Sequence, residues 1–174
     1  RQKLIHVFPG SEELGRVFYP TLPIVSTAAN FSLALSDITP FGQLSRSDYL
    51  KNLRKSYEKW NMPTRSRSSS VNLSEIVFSM NKLLDDDAIM CNGAGNHAGW
   101  LHRHYSYESN RRQLAPTSGS MGYSIPAAIA ASLINPNKQV IAFTGDGDFQ
   151  MTFQELGTLD QYGLSFIIIL INNW

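Results

Sequence analysis

Apolar positions along the chain recur at helical spacing in some stretches and form short continuous blocks in others, and the alternation of the two predicts its elements. Residues 4–8 read as a strand, closed by Pro9-Gly10. A short segment over 12–19, a second strand near 24–26 and a helix over 28–35 follow. Leu50, Leu53, Tyr57 and Trp60 then fall on one face of a helix over 47–60, with Ser45 and Asp48 as a capping pair. Pro63 ends that pattern, and residues 65–70 contain only Ser and Arg. From Val71 the rhythm becomes regular. Asn72 and Glu75 cap a helix with apolar Leu73, Ile76, Val77, Met80 and Leu84, and a strand over 88–92 follows. A polar, aromatic stretch over 97–107 leads to an Ala- and Ile-rich buried helix over 122–134. A strand over 139–144 passes through Gly145-Asp146-Gly147 to a helix capped by Thr152 and Glu155 and stopped by Gly163. An apolar strand over 165–171 is last.

Strands that are apolar throughout and alternate with helices predict an α/β fold, a parallel sheet covered on both faces with right-handed crossovers. Three parts are expected. Residues 1–38 are too few for a self-supporting core and read as the tail of a second α/β domain. Residues 39–70 form a linker with one helix, and residues 71–174 form the principal domain.

Composition narrows the function classes. A formal net charge of +1 gives no electrostatic footprint for nucleic acid or an anionic membrane. The longest apolar run, over 166–171, is far short of the ~20 residues that span a bilayer. Charged residues make up 17% of the chain against ~25% in ordinary soluble domains, so some surface is expected to be covered by other protein. The single cysteine, Cys91, excludes an internal disulfide and a cysteine-cluster metal site, and fits a reducing, cytoplasmic setting. The chain begins at Arg1 without a secretory leader, and the expectation is a piece of a longer protein, cut again after Trp174.

Three polar clusters end successive strands: Asn92-Gly93-Ala94-Gly95-Asn96-His97, Gly145-Asp146-Gly147-Asp148 and Asn172-Asn173. Ligands of open α/β sheets bind outside the carboxyl ends of strands, so the clusters can share one ligand. Asn173 follows Asp146 by 27 positions, the length of one crossover, which would bring the two onto neighbouring strands ~5 Å apart. A carboxylate and an amide carbonyl at that spacing suit magnesium, which takes oxygen ligands and commonly shares them with phosphates. Gly145 and Gly147 let backbone approach an anion. Taken singly, Gly-Asp-Gly and Asn-Asn are common turns; their combination is what points to a metal-bridged diphosphate.

That combination resembles the thiamine diphosphate signature. Asp148-Phe149-Gln150-Met151, Gln154-Glu155-Leu156 and the stretch from Thr117 through Ala128 are similar to the acetolactate synthase branch of that family, and Gly95-Asn96-His97 is similar to its Gly-Gln-His. The resemblance covers residues 71–174 and implies a thiamine diphosphate-binding fold. Asp146 and Asn173 would then ligate magnesium, with a third, backbone ligand beyond Trp174. Gly145 would leave room for the diphosphate, and Gly147, Asp148, Gly95, Asn96 and His97 would surround and contact it. The Gly119 carbonyl would accept from the aminopyrimidine, and Met121 would bend the cofactor so that its amino group lies beside the acidic thiazolium carbon. The implied activity is decarboxylation of a 2-oxo acid, pyruvate, and its joining to a second 2-oxo acid in a homodimer or homotetramer. In the family, a glutamate from another domain drives the pyrimidine tautomerisation; neither Glu108 nor Glu155 takes that role, so no catalytic residue is assigned. Flavin (FAD) use stays open. Another thiamine diphosphate decarboxylase or lyase, or a non-catalytic cofactor-binding subunit, is the alternative. A dinucleotide site is disfavoured because Gly93-Ala94-Gly95-Asn96-His97-Ala98 lacks the third glycine.

His102, Arg103, His104, Arg111 and Arg112 read as a solvated face, Cys91 as inert core, and Trp100, Tyr105 and Tyr107 as packing residues.

Overall fold

A computed structural model describes residues 2–39, 47–64, 71–108 and 110–172. The expected cap residue Ser45, the Ser/Arg tract over 65–70 and the metal-ligand candidate Asn173 lie outside the described residues. The chain divides into two compact units, Arg1–Tyr49 and Leu50–Trp174.

In the first unit, β1 (Ile5–Phe8) and β2 (Leu22–Val25) pair in parallel with Ile5 opposite Leu22. A single 3-10 turn, Ser11–Glu13, occupies the intervening segment. Thr27 caps α1 (Ala28–Ser36), its hydroxyl accepting from the Asn30 N–H at 3.2 Å. No described residue of this unit is fully buried. Helix α2 (Ser47–Asn61) crosses the boundary between the units.

The second unit carries the main sheet. Its helices and strands are α3 (Leu73–Leu83), β3 (Ile89–Asn92), α4 (Asn96–His104), β4 (Arg112–Leu114), α5 (Ser124–Ile134), β5 (Val140–Gly145), α6 (Asp146–Thr152), α7 (Leu156–Gln161) and β6 (Ile167–Ile171). The strands pair in parallel in the order β4-β3-β5-β6. Parallel strands buried on both faces place successive side chains in opposite cores. Accordingly Ile89, Cys91, Val140 and Ala142 pack beneath α5, whereas Met90, Ile141 and Phe143 join Val77 and Met80 of α3 and Leu101 of α4. Each fully buried large apolar side chain contributes ~1.5–3 kcal/mol. Small residues in α5 (Ala127, Ala128, Ala131) let that helix lie close to β3 and β5.

Two elements escape the sequence pattern. Helix α4 occupies the stretch expected to be irregular, because its apolar side is built from Ala98, Leu101 and the buried imidazole of His104 rather than from aliphatic repeats. Strand β4 has three residues and only one aliphatic side chain, too short to show a period. The helix after β5 also differs from expectation. It begins at Asp146, directly after the strand, and breaks at a 3-10 turn over Phe153–Glu155. Thr152 stands at the N-cap of that turn and Glu155 at the N-cap of α7, but neither side chain caps a main-chain N–H: the Thr152 hydroxyl donates to the Gly122 carbonyl at 3.0 Å, and Glu155 accepts from the Thr158 hydroxyl at 2.9 Å. At the other cap, the Asn72 side chain accepts from the Ser74 N–H at 3.1 Å, as expected of an N-terminal cap.

Arg111 and His104 are not on a solvated face. The Arg111 guanidinium donates to the carbonyls of Asn81, Leu84, Asp85 and Ser106 and lies 5.2 Å from the Tyr105 ring centroid. It thus satisfies carbonyls that the C-terminal end of α3 leaves open. His104 is buried, shares a hydrogen bond between Nδ1 and the Asn61 carbonyl at 2.7 Å, and stacks on Trp100 at 5.9 Å. Arg103 donates to the Trp60 carbonyl and sits over its indole. The end of α2 is thereby tied to α4.

Candidate functional site

From β3 the chain turns one way to β4 and later returns to the other side as β5, so the sheet has a topological switch between β3 and β5. The crevice beyond the carboxyl ends at such a switch is where α/β sheets bind ligands. A cavity of about 270 Å³ lies at the carboxyl ends of β5 and β6, lined by Leu73, Asn96, His97, Trp100, Gly145, Asp146 and Ile171. Two of the three polar clusters meet in it. The pairing of Gly145 with Ile171 ends β5 and β6 side by side, so Asp146 and Asn172 follow neighbouring strand ends.

His97 is packed against the turn that ends β5. A methyl group on Gly145 would come 3.1 Å from its Nδ1, so only glycine lets the ring sit there without displacement. Its Nε2 is buried and meets no hydrogen-bonding partner among the described residues. A buried polar nitrogen without a partner costs about 1–3 kcal/mol unless a ligand supplies one. Burial lowers the basicity of the imidazole, while the carboxylates of Asp148 and Asp146 pull the other way. Gly95 precedes α4 at φ 140°, a conformation that favours glycine.

The remaining candidates separate into two groups. Gly147 and Asp148 lie in the first turn of α6, where main-chain N–H groups have no intrahelical acceptor. The Asp148 side chain is engaged elsewhere: buried, it accepts from the Gly122 N–H, from the Thr144 hydroxyl at 2.6 Å and from the Ser124 hydroxyl at 3.3 Å. Only its main chain remains for a ligand. Gly119 and Met121 lie on the exposed loop between β4 and α5, with Gly119 at φ 69°. The Met121 methyl reaches the α6 turn, 3.3 Å from where a side chain on Gly147 would begin.

The donor set suits a metal-bridged diphosphate. Among the described residues no group of three or more His, Cys, Asp or Glu could hold a metal by itself. One carboxylate, Asp146, beside main-chain amides and an unpartnered imidazole nitrogen is the chemistry of a shared site, in which a cation is held partly by protein and partly by phosphate oxygens.

Comparison with known proteins agrees with this geometry. Residues 93–174 match the family described as thiamine pyrophosphate enzyme, C-terminal TPP binding domain. Over that segment the chain is similar to the cofactor-binding domain of thiamine pyrophosphate enzymes. It is 36% identical to the acetolactate synthase large subunit of Lactococcus lactis over 97% of this chain and 29% of that protein. The large subunit of Corynebacterium glutamicum is 32% identical over 98% of this chain and 28% of its own length. The chloroplastic acetolactate synthase of Arabidopsis thaliana is 30% identical over 99% and 27%. The chain thus spans less than a third of the curated relatives it matches. Among the described residues, no helix is long and apolar enough to cross a membrane.

Sequence reasoning missed three contributors. Leu73 and Trp100 form apolar walls of the cavity, and Gly122 joins the loop of Gly119 and Met121 to α6. Gly122 had a readable signal in its glycine between Met121 and Tyr123. The walls had none, since Leu73 and Trp100 are brought beside Asp146 only by the sheet.

Proposed function

We propose that this chain carries the diphosphate- and magnesium-binding half of an acetolactate synthase-like enzyme, which decarboxylates pyruvate and joins the two-carbon unit to a second 2-oxo acid. The observation that carries the proposal is the cavity in which His97, Asn96, Gly145 and Asp146 converge, on a chain related over nearly all its length to acetolactate synthase large subunits. Asp146 and Asn173 are the magnesium ligands in this reading. Gly95, Asn96, His97 and the amides of Gly147 and Asp148 hold the diphosphate, with Gly145 leaving the approach open. Gly119 offers its carbonyl to the pyrimidine, and Met121 supports the bent form. The cofactor, when bound, supplies an electron sink for the carbon that loses carbon dioxide. The chain's own residues position it and exclude water from one side through Trp100 and Leu73.

Neither Glu108, which is exposed, nor Glu155, which is bonded to Thr158, is assigned the activation of the pyrimidine. The family resemblance implies an activating glutamate from another domain, usually of a second copy in a homodimer or homotetramer, and on that reading this chain alone is expected to be inactive. The single buried cysteine fits a reducing compartment such as the cytoplasm.

The test is product analysis on the full-length protein with pyruvate, thiamine diphosphate and magnesium. Acetolactate that vanishes when either cofactor is withheld supports the proposal; acetaldehyde and carbon dioxide without acetolactate move it to a 2-oxo acid decarboxylase. Asp146→Asn should weaken magnesium-dependent cofactor binding at least tenfold, and unchanged binding removes Asp146 from the metal site.

A further inference from the structure

Asp148 is a buried carboxylate that no cation accompanies among its contacts, within two residues of a proposed metal ligand, and its side chain faces away from the proposed diphosphate. Its partners lie on three different parts of the fold: Gly122 on the loop after β4, Ser124 at the start of α5 and Thr144 at the end of β5. One helical turn later, Thr152 donates to the carbonyl of the same Gly122. The Gly122 residue is thus held through its N–H and its C=O by two side chains spaced i, i+4 on one face of α6. Gly122 adopts φ 84°, and a side chain there would meet Thr152 at 3.0 Å, so the residue type, the backbone conformation and the clip are mutually adjusted. Gly93 completes the arrangement, because a methyl on it would overlap the Asp148 carboxylate.

We propose that Asp148 and Thr152 are positioning residues that clip the Gly122 loop to α6, so that the pyrimidine-side groups Gly119 and Met121 and the diphosphate-side groups Gly145 and Gly147 are set relative to each other before the cofactor arrives. The inference rests on the cofactor reading given above and adds to it the coupling of the two halves of the cradle. The physical logic is preorganisation: a loop ordered in advance does not draw its ordering entropy from the binding free energy. A carboxylate suits this purpose because its two oxygens can accept separately, Oδ1 from the Gly122 N–H and Oδ2 from the Thr144 and Ser124 hydroxyls.

The test uses the full-length protein and compares Asp148→Ala, Asp148→Asn and Thr152→Val. Hydrogen exchange of the peptide over 115–123 is read without cofactor, and thiamine diphosphate affinity is read at saturating magnesium by calorimetry. Asp148→Ala should speed exchange of 115–123 and weaken binding, each about tenfold, the loss of the bond that holds the Gly122 N–H. Exchange of the β3 and β5 peptides should rise less than that of 115–123, since of the three groups that Asp148 accepts from only Thr144 lies in these strands. Asp148→Asn should recover most of both effects, because its amide oxygen still accepts from Gly122 while its NH₂ donates to the Thr144 hydroxyl. Unchanged exchange of 115–123 in Asp148→Ala overturns the proposal, as does an equal rise across β3 and β5, which would make Asp148 a general stability residue. Should Asp148→Ala fail to fold, Thr152→Val decides: selective loosening of 115–123 supports the clip, and no change refutes it. If the wild-type protein binds no thiamine diphosphate, the cofactor reading fails, while the exchange contrast still decides the clip.

Discussion

Replacing Gly93 by alanine should be among the most damaging single-methyl additions in the molecule. Gly93 follows β3 and is buried, its N–H donating to the Phe143 carbonyl at 3.0 Å. A methyl built on its backbone falls 2.7 Å from Asp148 Oδ1 and closer still to Oδ2. The carboxylate cannot swing aside freely, because it is buried and fastened to Gly122, Ser124 and Thr144. Overpacking a core by one methyl costs ~1–3 kcal/mol. The smallest displacement that clears the methyl breaks at least one bond to the carboxylate, a further ~1.5–3 kcal/mol. The expected loss is therefore about 3–6 kcal/mol, a large share of the ~5–15 kcal/mol that keeps a domain folded. Urea-dependent hydrogen exchange of β3 and β5 in the full-length protein measures the opening free energy of this sheet. Gly99→Ala is the control: Gly99 lies in α4 with nothing within 4 Å of an added methyl, so the helix should gain ~0.5–1 kcal/mol. In Asp148→Ala, the Gly93→Ala penalty should largely disappear, because the methyl then occupies vacated space. A Gly93→Ala protein within 1 kcal/mol of wild type, or a penalty that persists undiminished in Asp148→Ala, would refute the steric argument.

Three further outcomes are expected. Arg111→Ala should cost about 3 kcal/mol by stripping four carbonyls of their donor, and Arg111→Lys should recover less than half because an ammonium lacks the planar fork; urea unfolding checks both. The Cys91 thiol is pushed up to about 12 by burial, so at pH 8 only ~10⁻⁴ of it is thiolate, and mass spectrometry should find its peptide unalkylated in the native protein and rapidly alkylated in urea. Comparable labelling in both states contradicts this. His97 is held below its ordinary range by burial, so its contribution to stability is complete above the unfolded value of ~6.5 and is lost as pH falls through the lower folded value. Without cofactor, the wild type should lose stability relative to His97→Gln as pH falls below about 7, and parallel pH profiles would contradict the buried neutral imidazole.

The one-dimensional pattern determined most of the element types and the face each presents. Blocks such as Ile141-Ala142-Phe143 and Ile167 to Ile171 read as strands because a parallel sheet buries both faces, and no tertiary information is needed to see that. The chemistry of the site was legible for the same kind of reason. Gly145 ends β5 and Asp146 follows it directly, and Asn96 and His97 follow β3, so local sequence placed these two polar clusters at the carboxyl ends of neighbouring strands. Tertiary structure decided the rest. Helix α4 was hidden because His104 serves as an apolar core residue only when Trp100 stacks on it and Asn61 accepts its ring N–H. Strand β4 was hidden because three residues carry no period, and only the partner strand β3 makes them a strand. Sequence shows what a side chain can bond to nearby, so Thr152 read as a cap and nothing marked the distant partners of the Asp148 side chain. That both reach across to Gly122, 26 and 30 positions away, follows from the docking of the loop on α6, which no local propensity encodes.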